Sequence, residues 1–231
     1  MESRPSLPQR RLTPRSSGAP TAGHQARSGG TRYIFASPGL ASHRWCRLNS
    51  NVRHHKRSPP MTVAILLTSS RSAGNTRTLV DLAFPAGRFA LEDLRSLNLG
   101  FYSYENENEA DDFLPLIRRM MNHHTWIIAT PLYWYSMSAQ AKQFLDRLSD
   151  LLAWHKEQGR LLRGKKLAVL CSGTDPDAPE SFSEPFKLTC EYLGMEFLGT
   201  HYAQFQGLYP ARPSAGRDAE SFARTVAPSA A

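Results

Sequence analysis

The stretch Thr62-Val-Ala-Ile-Leu-Leu-Thr68, running straight into Ser69-Ser-Arg-Ser-Ala-Gly-Asn-Thr76, decides how the chain is read. The first seven residues form a short, unbroken apolar run bounded by polar residues. Such a run reads as a strand buried on both faces, as in a parallel sheet covered by helices. The polar residues that follow read as a βα turn, and Thr78-Leu-Val-Asp-Leu-Ala83 as a helix stopped by Pro85 and Gly87.

The same alternation continues outward. Arg88–Leu94 reads as a weaker second strand, followed by a polar acidic loop from Ser103 to Asp112. Asp112 is placed to cap a helix through Asn122, with Pro115 in its first turn, where a missing N–H costs little. Phe113, Leu116, Ile117, Met120 and Met121 mark its apolar face. Trp126–Ala129 is the third strand. A third helix is predicted from Ser138 to Leu152, with Ala141, Phe144, Leu145, Leu148 and Leu152 facing the core. Lys166–Cys171 is the fourth strand. Ser183 is predicted to cap a fourth helix that ends at Gly194, and Glu196–Tyr202 is the fifth strand. A short last helix is predicted over Asp218–Val226. Strand and helix alternate five times, which predicts an α/β, three-layer sandwich around a five-stranded parallel sheet. The predicted domain spans 61–209, with 210–231 as a C-terminal extension.

Charge divides the chain. Residues 1–60 hold 11 Lys and Arg against the single acid Glu2, and residues 61–231 are close to neutral. The first segment also holds seven of the 16 prolines and nine serines, with scattered apolar residues and no period. It cannot bury enough surface to offset ordering entropy, so it is expected to be disordered. A nucleic-acid-binding arm, an Arg- and Ser-rich transit segment and an initiator read too early, with Met61 the true start, are the competing readings. The last is preferred, and nucleic acid is not an expected partner. No run approaches eighteen apolar residues, so no transmembrane helix is expected, and a cytoplasmic protein without membrane contact is. Cys46, Cys171 and Cys190 lie too far apart for a disulfide scaffold or a Cys-based metal site, and no metal is expected.

Open α/β sheets bind ligands at the carboxyl ends of their strands. Three segments leave those ends. Ser69–Thr76 offers small hydroxyls, Arg71, Asn75 and a helix N-terminus, which together suit a terminal phosphate. It lacks both the Walker A pattern and Gly-x-Gly-x-x-Gly. The alternative is an ordinary polar turn. Thr130-Pro-Leu-Tyr-Trp-Tyr-Ser136 is able to wall a flat aromatic ligand, or to serve as local core or a dimer contact. Cys171-Ser-Gly-Thr-Asp175 permits close backbone approach at Ser172 and Gly173.

Other groups point to structure. Cys171 and Cys190 read as core residues. His123-His124 reads as a solvated turn, and His155 and His201 have no assignable partner. Asp111-Asp112 reads as a helix cap, the Glu105, Glu107, Glu109 run as a solvated loop, and Asp146-Arg147 as a surface pair or dimer contact. No catalytic acid or base is identified.

The sequence Ser69-Ser-Arg71-x-x-Gly74-Asn75-Thr76 resembles the phosphate loop of NAD(P)H-dependent FMN reductases and quinone reductases. Thr130-Pro-Leu-Tyr-Trp-Tyr-Ser-Met-Ser-Ala-Gln-x-Lys142-x-Phe144-x-Asp146-Arg147 resembles that family's third-strand segment. The similarity spans Met61 to Tyr209. It implies a flavodoxin-like fold with strand order 2-1-3-4-5 and FMN at the carboxyl edge. It further implies that Ser69, Arg71, Asn75 and Thr76 hold the FMN phosphate. Pro131, Leu132, Tyr133 and Trp134 would border the ribityl chain and isoalloxazine, with Ser172 and Gly173 near the ring's far side. The implied activity passes electrons from NAD(P)H through FMN to a small acceptor such as a quinone or a flavin, in a homodimer. An iron–sulfur cluster is not implied, because Phe101–Asp112 contains no Cys. A flavodoxin-type electron carrier without nicotinamide turnover is the rival reading, which the near-neutral domain disfavours.

Overall fold

The computed structural model describes residues 63–85 and 89–227. They belong to the second of two units into which the chain divides, His54–Ala231. The basic segment 1–60, with its expected disorder, lies outside the described residues.

A six-stranded sheet runs through this unit in the order β2-β1-β3-β4-β5-β6. Its strands are β1 (Val63–Leu67), β2 (Ala90–Asp93), β3 (Thr125–Pro131), β4 (Lys166–Gly173), β5 (Glu196–Gln206) and β6 (Tyr209–Pro210). The first five are parallel, and β6 adds antiparallel through Phe205–Pro210 and Gln206–Tyr209. The five-stranded core and its order match the expectation, and β6 is an addition. The helices are α1 (Asn75–Ala83), α2 (Phe113–Met121), α3 (Ala139–Arg147), α4 (Asp150–Ala153), α5 (Lys156–Arg160), α6 (Glu184–Leu193) and α7 (Ala215–Val226).

Alternate residues of each strand feed two separate cores, as a period of two requires. Val63, Ile65 and Leu67 of β1 join Ile127, Ala129, Leu79, Val80, Ala219 and Ala223 beneath α1 and α7. Ala64 and Leu66 join Trp126, Ile128, Phe113, Ile117, Phe144 and Phe186 beneath α2, α3 and α6. Each fully buried Leu, Ile or Phe contributes roughly 1.5–3 kcal/mol. The buried Trp126 keeps its indole N–H satisfied by donating to the Met120 carbonyl at 2.8 Å. Lys165 Nζ closes the end of α2 by donating to the carbonyls of Met121 (2.9 Å) and His123 (2.7 Å).

Five local expectations need correction. Ser183 occupies the cap position of α6, but its hydroxyl meets Thr200 Oγ1 (2.8 Å) and not a helix N–H. The third helix does not run unbroken to Leu152: the α-helical turns stop after Arg147 and resume at Asp150. The break rotates the apolar face, so Leu151 is buried while Leu152 is 42% exposed. At the start of α2, Asp112 occupies the cap position but its carboxylate accepts from the Asn98 N–H (2.7 Å). Asp111 instead accepts the Phe113 N–H (2.9 Å). Asp146 and Arg147 do not pair with each other. Asp146 meets Lys142 on the surface, and Arg147 is buried, 2% exposed, against Asp111 and Asp150. Finally, α7 begins at Ala215, three residues before the expected start, and covers α1.

Arg147 organises the long loop 98–112. Its guanidinium donates to the carboxylates of Asp111 and Asp150 and to the Gly100 carbonyl (2.9 Å), and lies 4.7 Å from the Phe113 ring centre. Burial opposes the charge on Asp111. The hydrogen bonds from Arg147, Phe113 and Gly100 outweigh it and hold that carboxyl below the ordinary range.

Candidate flavin site at the carboxyl edge of the sheet

The site is built where β1 and β3 end side by side. Thr68, just past β1, donates its N–H (2.8 Å) and its hydroxyl (2.9 Å) to the Ala129 carbonyl. Ser138, at the N-cap of α3, donates its hydroxyl to the Thr68 carbonyl (2.5 Å) and accepts the Ala141 N–H (3.1 Å). The Ser138 N–H in turn donates to Thr130 Oγ1 (3.0 Å). Thr68, Thr130 and Ser138 are all buried. This polar knot has its partners in place, and it fixes both loops to the strand ends.

The 69–74 loop leads into α1 with extended backbone at Gly74, and no side chain caps that helix. Its first-turn N–H groups and the helix dipole therefore face outward from the edge. Ser69 is buried and accepts the Arg71 N–H (3.4 Å), and Arg71 is exposed. Asn75 donates its amide to the Gly207 carbonyl (2.9 Å), which leaves its Oδ1 buried without a partner. The Thr76 and Ser172 hydroxyls are both buried and lie 2.8 Å apart. The Ser172 side chain therefore turns toward α1. Arg95, reaching over from the β2 edge, donates to the Ser70 carbonyl (2.5 Å) and adds a second cation beside the loop.

The aromatic segment forms the opposite lip. Pro131 is buried as the last residue of β3, and Leu132 is half-buried with its N–H donated to the Ser172 carbonyl (2.7 Å). Tyr133 and Ser136 exchange both main-chain hydrogen bonds, 2.9 and 3.0 Å, around a two-residue tip. The tip residues Trp134 and Tyr135 have φ of 48° and 63°. Both signs are those of a type I′ turn, which normally takes Asn or Gly, so two bulky side chains here cost about 1–2 kcal/mol each. The turn leaves Trp134 93% exposed. Tyr133 Oη lies 3.2 Å from Ser70 Oγ, joining this lip to the first loop. A cavity of about 360 Å³ opens between Leu132, Tyr133, Trp134 and Tyr135 on one side and Thr174 and Asp175 on the other. Gly173 ends β4 just before Thr174, and a Cβ there would come within 2.5 Å of Tyr202 Oη.

All ten expected site residues thus fall on one edge of the sheet. Arg95, Tyr202 and Gln204 also reach that edge, and the sequence carried no signal for them. Cys171 is buried and its thiol is pushed far above its usual value by burial. Burial, with Glu191 adding, pushes Cys190 up to about 12. Neither forms a thiolate near neutral pH. Among the described residues, no group of His, Cys, Asp and Glu is arranged to hold a metal ion. Among them, too, no helix is long and apolar enough to cross a membrane.

A parallel sheet in this order, with the start of α1 at its carboxyl edge, defines a flavodoxin-like fold. Residues 61–206 match the family described as NADPH-dependent FMN reductase, and the chain belongs to that family. It is an FMN-dependent NAD(P)H oxidoreductase. A Bacillus subtilis relative named as a putative NAD(P)H-dependent FMN-containing oxidoreductase is 30% identical over 154 residues, 60% of this chain and 82% of that one. Among solved structures, the Trp repressor binding protein from Bacillus subtilis aligns over 73% of this chain and 99% of its own. Its TM-score is 0.57 at 23% identity. An FMN-dependent NADH-azoreductase from Bacillus anthracis, solved with FMN, aligns over 71% of this chain and 99% of its own. Its TM-score is 0.53 at 11% identity. These two share the fold.

Proposed function

We propose that the edge built by β1, β3 and β4 seats FMN and that the adjoining cavity admits, in turn, a nicotinamide and a small oxidant such as a quinone or a free flavin. The observation that carries this reading is the start of α1: an uncapped helix N-terminus beside Arg71, with Asn75 Oδ1 buried and lacking a donor. A phosphate satisfies the N–H groups and the cation. A hydroxyl of the adjoining ribityl chain satisfies the orphaned oxygen. The residues present therefore fit the group.

Bound FMN supplies hydride acceptance from the nicotinamide and electron delivery to the oxidant. The chain's own residues orient and exclude. Ser69, Arg71, Asn75 and Thr76 fix the phosphate end. Pro131 and Leu132 give an apolar border, Tyr133 and Trp134 give flat faces for stacking, and Ser172 and Gly173 close the far side. No side chain is assigned a proton. We place the working enzyme in a homodimer. The apolar side chains of Leu152, Leu188 and Tyr192, exposed along α4 and α6 beside the half-buried Leu145 of α3, form the kind of surface that self-association covers.

The test uses the full chain. Its visible spectrum, after incubation with FMN, is recorded before and after anaerobic NADPH or NADH. A flavin spectrum that bleaches supports the reading. Flavin that neither nucleotide bleaches points to an electron carrier, and a chain that takes up no FMN refutes the site.

A further inference from the structure

The two walls of the 360 Å³ cavity are held in different ways. The Tyr133–Ser136 wall is closed by its own pair of main-chain hydrogen bonds. The Thr174–Asp175 wall lies past the end of β4, and both residues are exposed. Two side chains of β5 reach across to it. Tyr202 Oη donates to the Asp175 carbonyl at 2.6 Å, and Gln204 Nε2 donates to the Thr174 carbonyl at 3.0 Å.

We infer that Tyr202 and Gln204 are positioning residues that set the width of the cavity mouth by clamping the Thr174–Asp175 wall. Register makes this possible: Cys171 pairs with Tyr202 and Gly173 with Gln204, so both side chains stand beside the outgoing strand and share one face. Gly173 completes the arrangement, because a Cβ there would overlap the Tyr202 hydroxyl at 2.5 Å. Two successive carbonyls are thereby held, which fixes the orientation of the peptide plane between them. The Tyr202 phenol stays a neutral donor, pushed up to about 12 by burial, with Cys171, Asp175 and Asp177 adding. The inference rests on the reading of this cavity as the reaction cavity. There a misplacement of about 1 Å is enough to degrade productive binding.

The experiment makes Tyr202→Phe and Gln204→Leu, singly and together, in the full chain. The first readout is hydrogen exchange across residues 172–178 in flavin-free protein. Faster exchange confined to that segment, in either single variant and more so in the double, is the expected result. The second is steady-state kinetics with a simple quinone on the FMN-loaded enzyme. KM for the quinone should rise about threefold to tenfold, with kcat and flavin content within about twofold of the parent, because uniform binding is lost and the reacting geometry on the flavin is not. Unchanged exchange in the double variant overturns the clamp. So does a fall in flavin content with KM unchanged, since Tyr202 and Gln204 would then serve the cofactor. A parent chain that takes up no FMN overturns the underlying reading of the cavity instead, whatever the exchange result.

Discussion

The hydroxyls of Thr76 and Ser172 meet at 2.8 Å in a buried position, tying the first turn of α1 to the end of β4. The helix start proposed to bind phosphate is thus anchored to the strand that closes the other side of the same edge. Removing one partner leaves a buried hydroxyl unsatisfied, which costs about 1–3 kcal/mol. Ser172→Ala should lower the unfolding free energy by that amount in a urea titration and weaken FMN binding in a fluorescence titration. A variant with parental stability and parental FMN affinity would show the contact to be idle.

Arg71→Ala and Asn75→Ala act on the ligand, with little effect on the fold. Arg71 is exposed, and Asn75 keeps one hydrogen bond, to Gly207. The double variant should hold a parental Tm without FMN yet lose most of its bound flavin, the charge-assisted Arg71 contact being worth about 1.5–3 kcal/mol and the neutral Asn75 contact about 0.5–1.5 kcal/mol. Flavin content after gel filtration is the measurement.

The buried Arg147 cluster predicts a large stability loss. Arg147→Ala abandons Asp111 and Asp150 in a dry position, and breaking such a pair costs about 3–5 kcal/mol. The loop 98–112 should become the first site of proteolytic cleavage, read by mass spectrometry of the fragments.

The same cluster sets an acid limit. The Asp111 carboxyl titrates below its usual value in the folded chain, because the hydrogen bonds from Arg147, Phe113 and Gly100 outweigh the effect of burial. The stability this confers is complete above the unfolded value of about 3.9 and is lost as pH falls through the depressed folded value. The difference in unfolding free energy between the parent and Asp111→Asn should be widest near neutrality and should shrink below about pH 4. A difference independent of pH would refute the assignment.

Neighbouring leucines separate the two readings of the third helix. Leu151→Ala should cost about 2–5 kcal/mol, and Leu152→Ala within about 0.5 kcal/mol, in matched urea titrations. The unbroken helix would predict the reverse.

These cases also mark what was legible before the structure. The parallel core was legible because β1, β3 and β4 are short apolar runs buried on both faces, a pattern that no surface strand carries. The two site loops were legible because strand ends locate ligands in this architecture and their residue types are unusual. Arg147 was not, because its main partner Asp111 lies in a distant loop while the adjacent Asp146 offers a nearer and misleading pairing. The helix breaks directly after Arg147, where the apolar periodicity continues and so extends the expected helix through it. The tip at Trp134 and Tyr135 carried no signal either, since its backbone is the one usually announced by Asn or Gly. Tyr202 and Gln204 act through register across β4 and β5, and register is a property of two strands together.

The packing of α7 on α1 has a bearing on how the molecule is made. The helix that begins after the 69–74 loop is synthesised first among the described helices, and the helix that covers it is synthesised last. During translation the α2, α3 and α6 layer is able to assemble over its own strands, while Leu79, Val80 and Ala83 wait for Ala219, Ala223 and Val226. Closure of that layer is the most non-local event in the fold, and so the slowest to be reached from a growing chain.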